Sequence, residues 1–475
     1  MKTSIEKTTV FMTGAAGHMG LEAVKLFAEN RNIHLKLLIL PNKSERKRMK
    51  PYYNYANVEI LEGDLRNIDD VRKGVNGADY VYHLGALIPP AADHFPELSE
   101  KINLGGTLNI IKAIKEQDNP DGIKLIYIAT VASMGNRPAP IHWGRTGDPI
   151  RVGYFDAYAV SKVKAERAVI ESGLKYWVSL RQSGMLHRDM LRIIDPIIFH
   201  QPLDNHIEWS TAEDSGWALY NICSIDLPDE FWRNMYNIGS GPEFRETFYD
   251  FTKTLFAQIG VSDIHKFFKP RDFTTRNFHC VWYSDSEKLN NWLNFRKSTY
   301  AGYLKSLNIP GYFHFLRFIP GGIVRKVIFE PLSRKAEGTR NWIENNVVEK
   351  IKAFWGSREN WEKIPEKWEN FKINKVPKTV MLDHGWNETL RVEDISINDC
   401  RRAAEFRGGE CVSSEMLTGD IYSLLKWKCA LGHIFRASPN AVLRGGHWCP
   451  DCDTDVTAYE AQAKRNRFFA QVYFA

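Results

Sequence analysis

Thr8-Thr-Val-Phe-Met-Thr-Gly-Ala-Ala-Gly-His-Met-Gly20 is the stretch that decides the fold of the first half of the chain. Its β-branched and apolar residues 9–12 lead into Gly14, Gly17 and Gly20, and a helix-forming run follows at residues 21–29. Glycine lets the backbone turn sharply, and it lets a diphosphate approach bare N–H groups at a helix N-terminus, where the helix dipole favours negative charge. The stretch therefore predicts a strand, a tight turn and a helix that cradle a dinucleotide. Because the spacing is Gly-x-x-Gly-x-x-Gly and not the common Gly-x-Gly-x-x-Gly, an ordinary strand-to-helix turn is the alternative.

Strand-like and helix-like runs alternate regularly after this turn. Apolar runs predict strands at residues 33–40, 58–61, 78–84 and 125–129, and helical runs occur at residues 69–75 and 103–115. The alternation predicts the α/β class, namely a Rossmann-type doubly wound parallel sheet with helices on both faces. Ligands of such sheets bind beyond the carboxyl ends of the strands.

Composition predicts a globular, cytoplasmic protein with a sizeable core. The chain has 475 residues, of which 44% are hydrophobic, and its net charge of +6 is too mild to indicate a nucleic-acid or membrane partner. Residues 309–329 are apolar but are interrupted by prolines and basic residues, which argues against a membrane-spanning helix and leaves an amphipathic surface segment as the alternative. A signal peptide is not expected, and seven cysteines, an odd number, fit a reducing compartment better than a disulfide framework.

The residues after the second predicted strand bear on the choice of coenzyme. NAD-binding folds have an acidic residue there for the ribose hydroxyls, whereas this chain has Leu40, Pro41 and Asn42. We interpret the basic run that follows as favouring NADP(H), because a cation can meet the additional phosphate, with Lys43 and Arg46 as candidate cofactor-binding residues. A solvated helix face is the alternative. The whole basic run comprises Lys43, Arg46, Lys47, Arg48 and Lys50.

A candidate proton-transfer set follows the fifth predicted strand. Tyr158 and Lys162 are four residues apart on a predicted helix, so the ammonium group can lie within reach of the phenol. A tyrosine with its ordinary pKa near 10 is a poor base, but a nearby cation stabilises the phenolate. Thr130 at the end of the strand can bind the same substrate oxygen and orient it while hydride moves to or from a nicotinamide. Ser133 is the alternative hydroxyl.

The order of these motifs resembles the extended short-chain dehydrogenases/reductases, the NAD(P)-dependent epimerase/dehydratase group, over residues 8–295. Besides the glycine turn and the Tyr-x-x-x-Lys pair, the shared motifs are Gly63-Asp64-Leu65, His83-Leu-Gly-Ala86 and Asn103-Leu-Gly-Gly-Thr107.

The resemblance implies a role for each residue that matches a family motif. Tyr158 would be the general acid/base, Lys162 would lower its pKa and hold the nicotinamide ribose, and Thr130 would replace the usual serine. The remaining implied residues are Asp64 and Leu65 by the adenine, Ala86 by the cofactor, and Asn103 as a brace of the sheet.

By the same resemblance the chain is expected to be an NAD(P)-dependent oxidoreductase or epimerase/dehydratase acting on a hydroxyl or carbonyl of a small molecule. Residues 180–184 depart from the Arg-x-x-Asn pattern of sugar-nucleotide epimerases, so a sugar or sugar nucleotide stays open as the substrate. The loop 140–149 would overhang the site, and His142, Trp143 and Arg145 are expected either to contact substrate or to pack within the loop. The alternative function is an NADP(H)-sensing binding protein whose C-terminal module engages nucleic acid or a protein.

The chain is expected to divide into four segments. The resemblance implies a catalytic domain at residues 1–295, the loss of strand–helix alternation predicts a helical extension and linker at 296–390, and the ligand motif predicts a zinc-ribbon-like domain at 391–460 followed by a tail at 461–475. The tryptophans of the extension are expected to pack in a core or interface. A homodimer is compatible with this organisation.

The C-terminal segment predicts a structural zinc site. Cys429-Ala-Leu-Gly-His433 and Cys449-Pro-Asp-Cys452 supply two close pairs of soft ligands, as four-coordinate zinc requires. His447 is the alternative to His433, and Cys400 and Cys411 are not expected to be ligands. The segment resembles treble-clef zinc ribbons that occur beside DNA-processing domains, which leaves nucleic acid open as a partner.

Overall fold

The structure is a computed structural model that describes residues 7–192, 195–373 and 378–474. Its centre is a seven-stranded sheet in which all neighbours pair in parallel. The strands are β1 (Thr8–Thr13), β2 (Ile33–Ile39), β3 (Val58–Glu62), β4 (Tyr80–His83), β5 (Lys124–Thr130), β6 (Tyr176–Gln182) and β7 (Asn234–Ile238). Their order in the sheet is β7-β6-β5-β4-β1-β2-β3, so the chain winds outward from β1 in both directions. The order reverses between β1 and β4, where such sheets bind their ligands.

Helices cover both faces of this sheet, which confirms the predicted fold. The longer helices are α1 (His18–Glu29), α2 (Lys43–Met49), α3 (Ile68–Val75), α4 (Gly106–Lys115), α5 (Ala157–Ile170) and α6 (Ala212–Ser224), and short helices occur at Ala91–His94 and Pro96–Glu100. The core on one face of the sheet includes buried residues of α1 and α6, and the core on the other face includes buried residues of α3, α4 and α5. Apolar side chains thus project from both faces of the sheet, as a sheet buried on both sides requires.

A second core lies beyond the carboxyl ends of the strands. It joins residues of short strands, among them His206–Glu208 and Trp282–Tyr283, to residues of the helical extension. Trp342 and Trp355 are buried in that extension, so they pack as expected. The helices around this core and in the extension are Phe248–Ala257, Tyr300–Ser306, Gly321–Val324, Glu330–Ser333, Thr339–Glu344, Val348–Trp355 and Arg358–Glu362. Helix Ser286–Leu293 instead packs on the sheet, with Leu289 and Leu293 in the same core as α1 and α6.

The C-terminal module combines a small antiparallel sheet with helices. Its three strands pair antiparallel in chain order. Its last two helices share a core with α5, to which the first contributes Tyr459 and Ala463 and the second contributes Phe469 and Val472. Residues 461–474, predicted as a tail, are therefore part of a core. The elements are α7 (Ile397–Phe406), β8 (Glu410–Cys411), β9 (Leu425–Lys428), β10 (Ile434–Ala437), α8 (Tyr459–Ala463) and α9 (Arg467–Tyr473). Within the described ranges, every helix is too short or too polar to cross a bilayer.

Candidate active site and metal cluster

The glycine turn lies at the carboxyl end of β1, next to the switch in strand order. Gly14 has a φ of +71°, and a Cβ there would lie 2.7 Å from the backbone nitrogen of Gly85. A Cβ on Gly20 would lie 2.4 Å from the carbonyl oxygen of Gly14. Gly17 precedes the first residue of α1, and its N–H donates to Gly14 at 3.0 Å. The turn is thus a bare-backbone cradle at a helix N-terminus, which fits a diphosphate.

A cleft of about 980 Å³ opens from this turn across the carboxyl ends of β1, β4 and β5. The structure therefore brings the glycine turn and the predicted reacting groups to one cavity. The predicted residues that line it are Gly14, Gly17, Gly20, Asp64, Leu65, Ala86, Thr130, Tyr158 and Lys162.

The basic helix α2 presents a different side to the cleft from the one predicted. Arg46 points away and forms a two-bond ion pair with Glu62, at 2.6 and 2.5 Å, and Lys43 is exposed outside the cleft lining. Arg48 lines the cleft and donates to the carbonyl of Ala16 at 2.8 Å. The cation facing the cleft from α2 is therefore Arg48.

Glu45 is a cleft residue that sequence reasoning missed. Its Oε2 accepts a 2.8 Å hydrogen bond from the backbone nitrogen of Leu40, so a carboxylate lies just beyond the end of β2. The available signal was the N-cap: Asn42 caps α2 by accepting from the backbone nitrogen of Glu45, and a glutamate at this third helical position commonly turns back towards the preceding chain.

Tyr158 and Lys162 lie on the cleft side of α5, and Thr130 ends β5 beside them. Burial raises the pKa of Tyr158 to about 12, and a hydrogen bond with Thr130 opposes the rise. Lys162 donates to the carbonyl of Ile128 at 2.5 Å, and its ammonium lies 4.2 Å from the ring centre of Tyr127. Burial lowers the pKa of Lys162 to about 7. A phenol, an alcohol and an amine thus meet in a poorly solvated site, where proton positions respond strongly to neighbouring charge.

The two candidate hydroxyls differ in position. Thr130 lines the cleft, whereas Ser133 is 1% exposed, lies outside the cleft lining and donates to the carbonyl of Thr130 at 2.9 Å. Ser133 thus supports the backbone of the turn after β5, and Thr130 is the hydroxyl available to a ligand.

Buried polar groups fix the walls of the cleft. Asn103 exchanges two hydrogen bonds with the backbone of Leu87, at 2.7 and 3.0 Å, and donates to Ser161 on α5 at 2.9 Å. The amide thus ties the loop after β4 to the helix of Tyr158. His83 lies between Thr13 and Thr107, each at 2.9 Å, and burial lowers its pKa to about 3.

The loop 140–149 packs away from the cleft. His142 is buried against His206, with ring centres 4.1 Å apart, and Trp143 packs edge-on against Trp282. Arg145 pairs with Glu388 of the C-terminal region. These three residues therefore pack against other parts of the protein and do not contact the cleft.

The outer rim of the cleft consists of residues that no sequence motif indicated. His187 stacks on His18 of the glycine turn, with ring centres 3.7 Å apart, and both line the cleft. Burial lowers the pKa of His187 to about 4, so the pair is neutral at pH 7. The other unpredicted lining residues include Ile88, Met185, Met190 and His279.

The four predicted metal ligands converge in the C-terminal module. The ligand atoms of Cys429, His433, Cys449 and Cys452 all lie within 4.8 Å of one another. The three cysteines are buried, and hydrogen bonding between Cys449 and Cys452 lowers the pKa of the first thiol and raises that of the second. Three sulfurs and one imidazole nitrogen are a donor set that fits tetrahedral zinc.

The remaining candidates lie apart from this cluster. His447 Nε2 is 3.1 Å from Glu166 on α5. Cys400 contacts the sulfur of Met416, and Cys411 is in the module's core.

Comparison with known proteins identifies relatives of the first part of the chain. Residues 11–184 match the sequence model of the 3-beta hydroxysteroid dehydrogenase/isomerase family. Mouse 3 beta-hydroxysteroid dehydrogenase type 7 is 24% identical over 172 residues, which are 35% of this chain and 45% of that protein. UDP-glucose 4-epimerase of Rickettsia bellii is 28% identical over 109 residues, which are 22% of this chain and 32% of that protein. The chain thus spans about half or less of the length of these relatives.

Solved structures show the same fold. A dTDP-glucose 4,6-dehydratase from Streptomyces venezuelae, with NAD and TYD bound, aligns with a TM-score of 0.52 and 17% identity over 63% of this chain and 95% of that chain. UDP-glucuronic acid 4-epimerase from Bacillus cereus, in complex with UDP-glucuronic acid and NAD, gives a TM-score of 0.51 and 17% identity over 66% of this chain and 100% of that chain. With the family match, this fold confirms the resemblance to the extended short-chain dehydrogenases/reductases.

Proposed function

From the family match of residues 11–184, we propose that the chain is an NAD(P)-dependent enzyme of the extended short-chain dehydrogenase/reductase type. It acts on a hydroxyl or carbonyl group of a small molecule, as a dehydrogenase, epimerase or dehydratase. The observation that carries the proposal is that Thr130, Tyr158 and Lys162 line the same cleft as the glycine turn. A nucleotide-binding cleft that served only as a sensor would not require a proton-transfer set.

The proposed chemistry assigns one task to each group. Tyr158 exchanges a proton with the substrate oxygen, and Thr130 orients that oxygen by hydrogen bonding. Lys162 supplies positive charge that stabilises the phenolate, which is needed because burial raises the pKa of Tyr158 to about 12. A nicotinamide coenzyme held at the glycine turn would supply or accept the hydride.

We propose that Glu45 favours NAD(H) as the coenzyme, in place of the NADP(H) preference expected from the basic run. Its carboxylate is close to the end of β2 and lines the cleft, which suits two ribose hydroxyls and repels an additional phosphate. Arg48 lines the same region, but its guanidinium already donates to Ala16. The solved neighbours with NAD bound are consistent with this proposal.

The substrate end of the cleft supports two candidate classes. Sugars and sugar nucleotides would use the polar groups of Gln182 and His279, whereas an apolar secondary alcohol would pack on Ile88, Met185 and Met190. The named relatives include proteins of both kinds. A substrate screen with the preferred coenzyme should therefore include both classes.

The proposed function is tested with Tyr158→Phe. The variant should bind NADH within about twofold of the wild type, because only a hydroxyl is removed from the substrate end. Turnover of any substrate found in the screen should fall by at least about a hundredfold, the usual contribution of a general acid/base. Retained turnover would exclude Tyr158 from the proton transfer.

We propose a structural zinc ion at Cys429, His433, Cys449 and Cys452. The support is the convergence of the four ligand atoms and the burial of the three thiols. Purified protein should hold about one zinc per chain by elemental analysis. A folded, metal-free C-terminal module would refute this site.

The alternative, a sensor whose zinc module engages nucleic acid, has less support. Arg444 is half-buried and donates to the side-chain oxygens of Asn234 and Asn440, so its guanidinium is directed into the molecule and not towards a partner. Arg436 on β10 remains exposed. Salt-sensitive DNA or RNA binding that is lost in Arg436→Ala would favour this alternative.

A further inference from the structure

We propose that the C-terminal metal module positions the catalytic helix. In this proposal, metal binding fixes the turn at residues 445–449, and the turn holds Glu166, which lies one helical turn beyond Lys162 on α5. The inference rests on the proposed function of Tyr158 and Lys162, and it makes Glu166 and His447 positioning residues.

Glu166 is the centre of a buried polar network that joins three parts of the fold. Its Oε1 accepts hydrogen bonds from Ser179 at 2.7 Å and from Arg181 at 2.9 Å, both on β6. Its Oε2 accepts from Arg181 at 3.0 Å and lies 3.1 Å from His447 Nε2. Arg181 also donates to the carbonyl of Gly445 at 2.7 Å. The C-terminal turn thus supplies a partner to each member of the ion pair.

These partners matter because the pair has no access to water. The side chains of Glu166 and Arg181 are 1% and 0% exposed. Within the described part of the chain, Arg181 Nη1 already has no hydrogen-bond partner, so the bonds to Gly445 and His447 are among the few that stabilise the pair. Loss of either would leave a further buried polar group that water cannot reach. Withdrawal of the turn would therefore disturb the pair, and with it the carboxyl half of α5.

The turn is tied directly to the metal cluster. Trp448 immediately precedes Cys449, and its carbonyl accepts a 2.8 Å hydrogen bond from Arg167, the residue after Glu166 on α5. Gly446 has a φ of +75°, and a Cβ there would lie 2.0 Å from the carbonyl of Asp148, so the turn fits closely against the loop before α5. Because Cys449 and Cys452 must hold fixed positions in a tetrahedral site, a bound metal restrains the backbone that contacts α5.

Glu166 also acts on Lys162 through its charge. Burial lowers the pKa of Lys162, and the Glu166 carboxylate opposes that shift. The other titratable groups that face Lys162 are His83 on β4, which burial keeps neutral at pH 7, Tyr127 on β5 and Tyr158 on α5. The Glu166 carboxylate is therefore the charge that favours the ammonium form of Lys162. A displacement of Glu166 would lower the pKa of Lys162, and the proposed phenolate of Tyr158 depends on that ammonium group.

The first test compares zinc-loaded wild type with full-length Cys449→Ser. Amide hydrogen exchange is measured in α5 and, as an internal control, in α1, whose core lies on the opposite face of the sheet. We expect loss of zinc, at least about tenfold faster exchange in α5 and unchanged exchange in α1. Unchanged exchange in α5 after complete loss of zinc would overturn the proposal. Faster exchange in both helices would indicate general unfolding, and the second test then decides.

The second test keeps the metal and removes only the contact. His447→Leu lacks the group that reaches Glu166, whereas His447→Gln retains a donor there. Both should keep one zinc and bind NADH normally. In His447→Leu we expect faster amide exchange in α5 and about tenfold slower turnover. We also expect the high-pH limb of its pH–rate profile to move to lower pH. In His447→Gln all three properties should match the wild type.

Exchange in α5 and NADH affinity are measurable without a substrate, which separates this proposal from the proposed reaction. If no substrate is turned over by the wild type, the proposed function fails, and exchange alone tests the positioning. Wild-type exchange in α5 of zinc-replete His447→Leu would contradict the proposal regardless of turnover.

Discussion

The glycine turn and the metal cluster are both built from short local motifs, but different forces hold them. The turn follows β1, an interior strand of the seven-stranded sheet, and apolar cores on both faces fix it before any ligand binds. The cluster lies in a module whose sheet has three short strands, and its ligands include three thiols within 4.8 Å of one another and of an imidazole. A site supported by packing should survive loss of its ligand, whereas a site that gathers thiols should depend on its metal.

Removal of a metal ligand should give the largest effect. Cys452→Ser should lose zinc and expose residues 383–474 to limited proteolysis, because structural zinc contributes on the order of 10 kcal/mol to small zinc modules. Cys411→Ser is the matched control: this cysteine is also buried in the module but is not a member of the cluster, and its variant should keep zinc. Mass spectrometry of the fragments checks the prediction. Equal proteolysis of the two variants would mean that packing alone holds the module.

A side chain in the glycine turn should give the next effect. Gly20→Ala introduces a Cβ that would lie 2.4 Å from the Gly14 carbonyl, so the turn must shift. We expect a loss of about 3 kcal/mol in the free energy of unfolding and at least tenfold weaker NADH binding. Gly77→Ala is the control, since its φ is +70° but no atom lies within 4 Å of the added Cβ. It should cost about 1 kcal/mol and leave NADH binding unchanged. Urea unfolding and fluorescence titration measure both.

The two regions also differ in what could be predicted from sequence. The shared cleft of Tyr158, Lys162 and the three glycines, and the convergence of the four candidate metal ligands, were predictable because the spacing of these residues is local and their chemistry is specific. The contact of Glu166 with His447 joins residues 281 positions apart and leaves no periodic signal in either segment. The burial of Phe469 and Val472 against α5 was missed for the same reason.

The orientation of helix α2 was not predictable for a different reason. Helix α2 has one buried residue, Met49, so no apolar stripe reveals its rotation. The sequence therefore identifies a basic helix but does not indicate that Arg48 and Glu45 face the cleft while Arg46 faces Glu62. The loop 140–149 is similar, because its aromatic and polar residues suit a ligand or a neighbouring loop equally well.

Loss of stability at mildly acidic pH should depend on His83, which is buried in the sheet. Burial lowers the pKa of His83 to about 3 in the folded protein, whereas the same side chain has a pKa near 6.5 in the unfolded chain. Below pH 6.5 the unfolded state therefore binds more protons than the folded state. Stability is therefore lost as the pH falls below about 6.5, by about 1.4 kcal/mol at pH 5.5. His83→Gln should be less stable at pH 7.5 but should lose less between pH 7.5 and 5.5. Urea unfolding at the two pH values, followed by tryptophan fluorescence, measures the difference; an equal loss in both proteins would contradict it.

The smallest effect should come from the exposed face of α2, and it tests which side of that helix serves the coenzyme. Arg46 is exposed and paired with Glu62, so Arg46→Ala should shift the urea midpoint little and should leave the ratio of NADH to NADPH affinity unchanged. Glu45→Gln is the matched change on the opposite side: it removes the negative charge beside Leu40 and should move the ratio about tenfold towards NADPH. If the ratio of NADH to NADPH affinity changed in Arg46→Ala and not in Glu45→Gln, the face of α2 that carries Arg46 would serve the coenzyme, as the basic run predicts. Helix α2 would then have to rotate when the coenzyme binds.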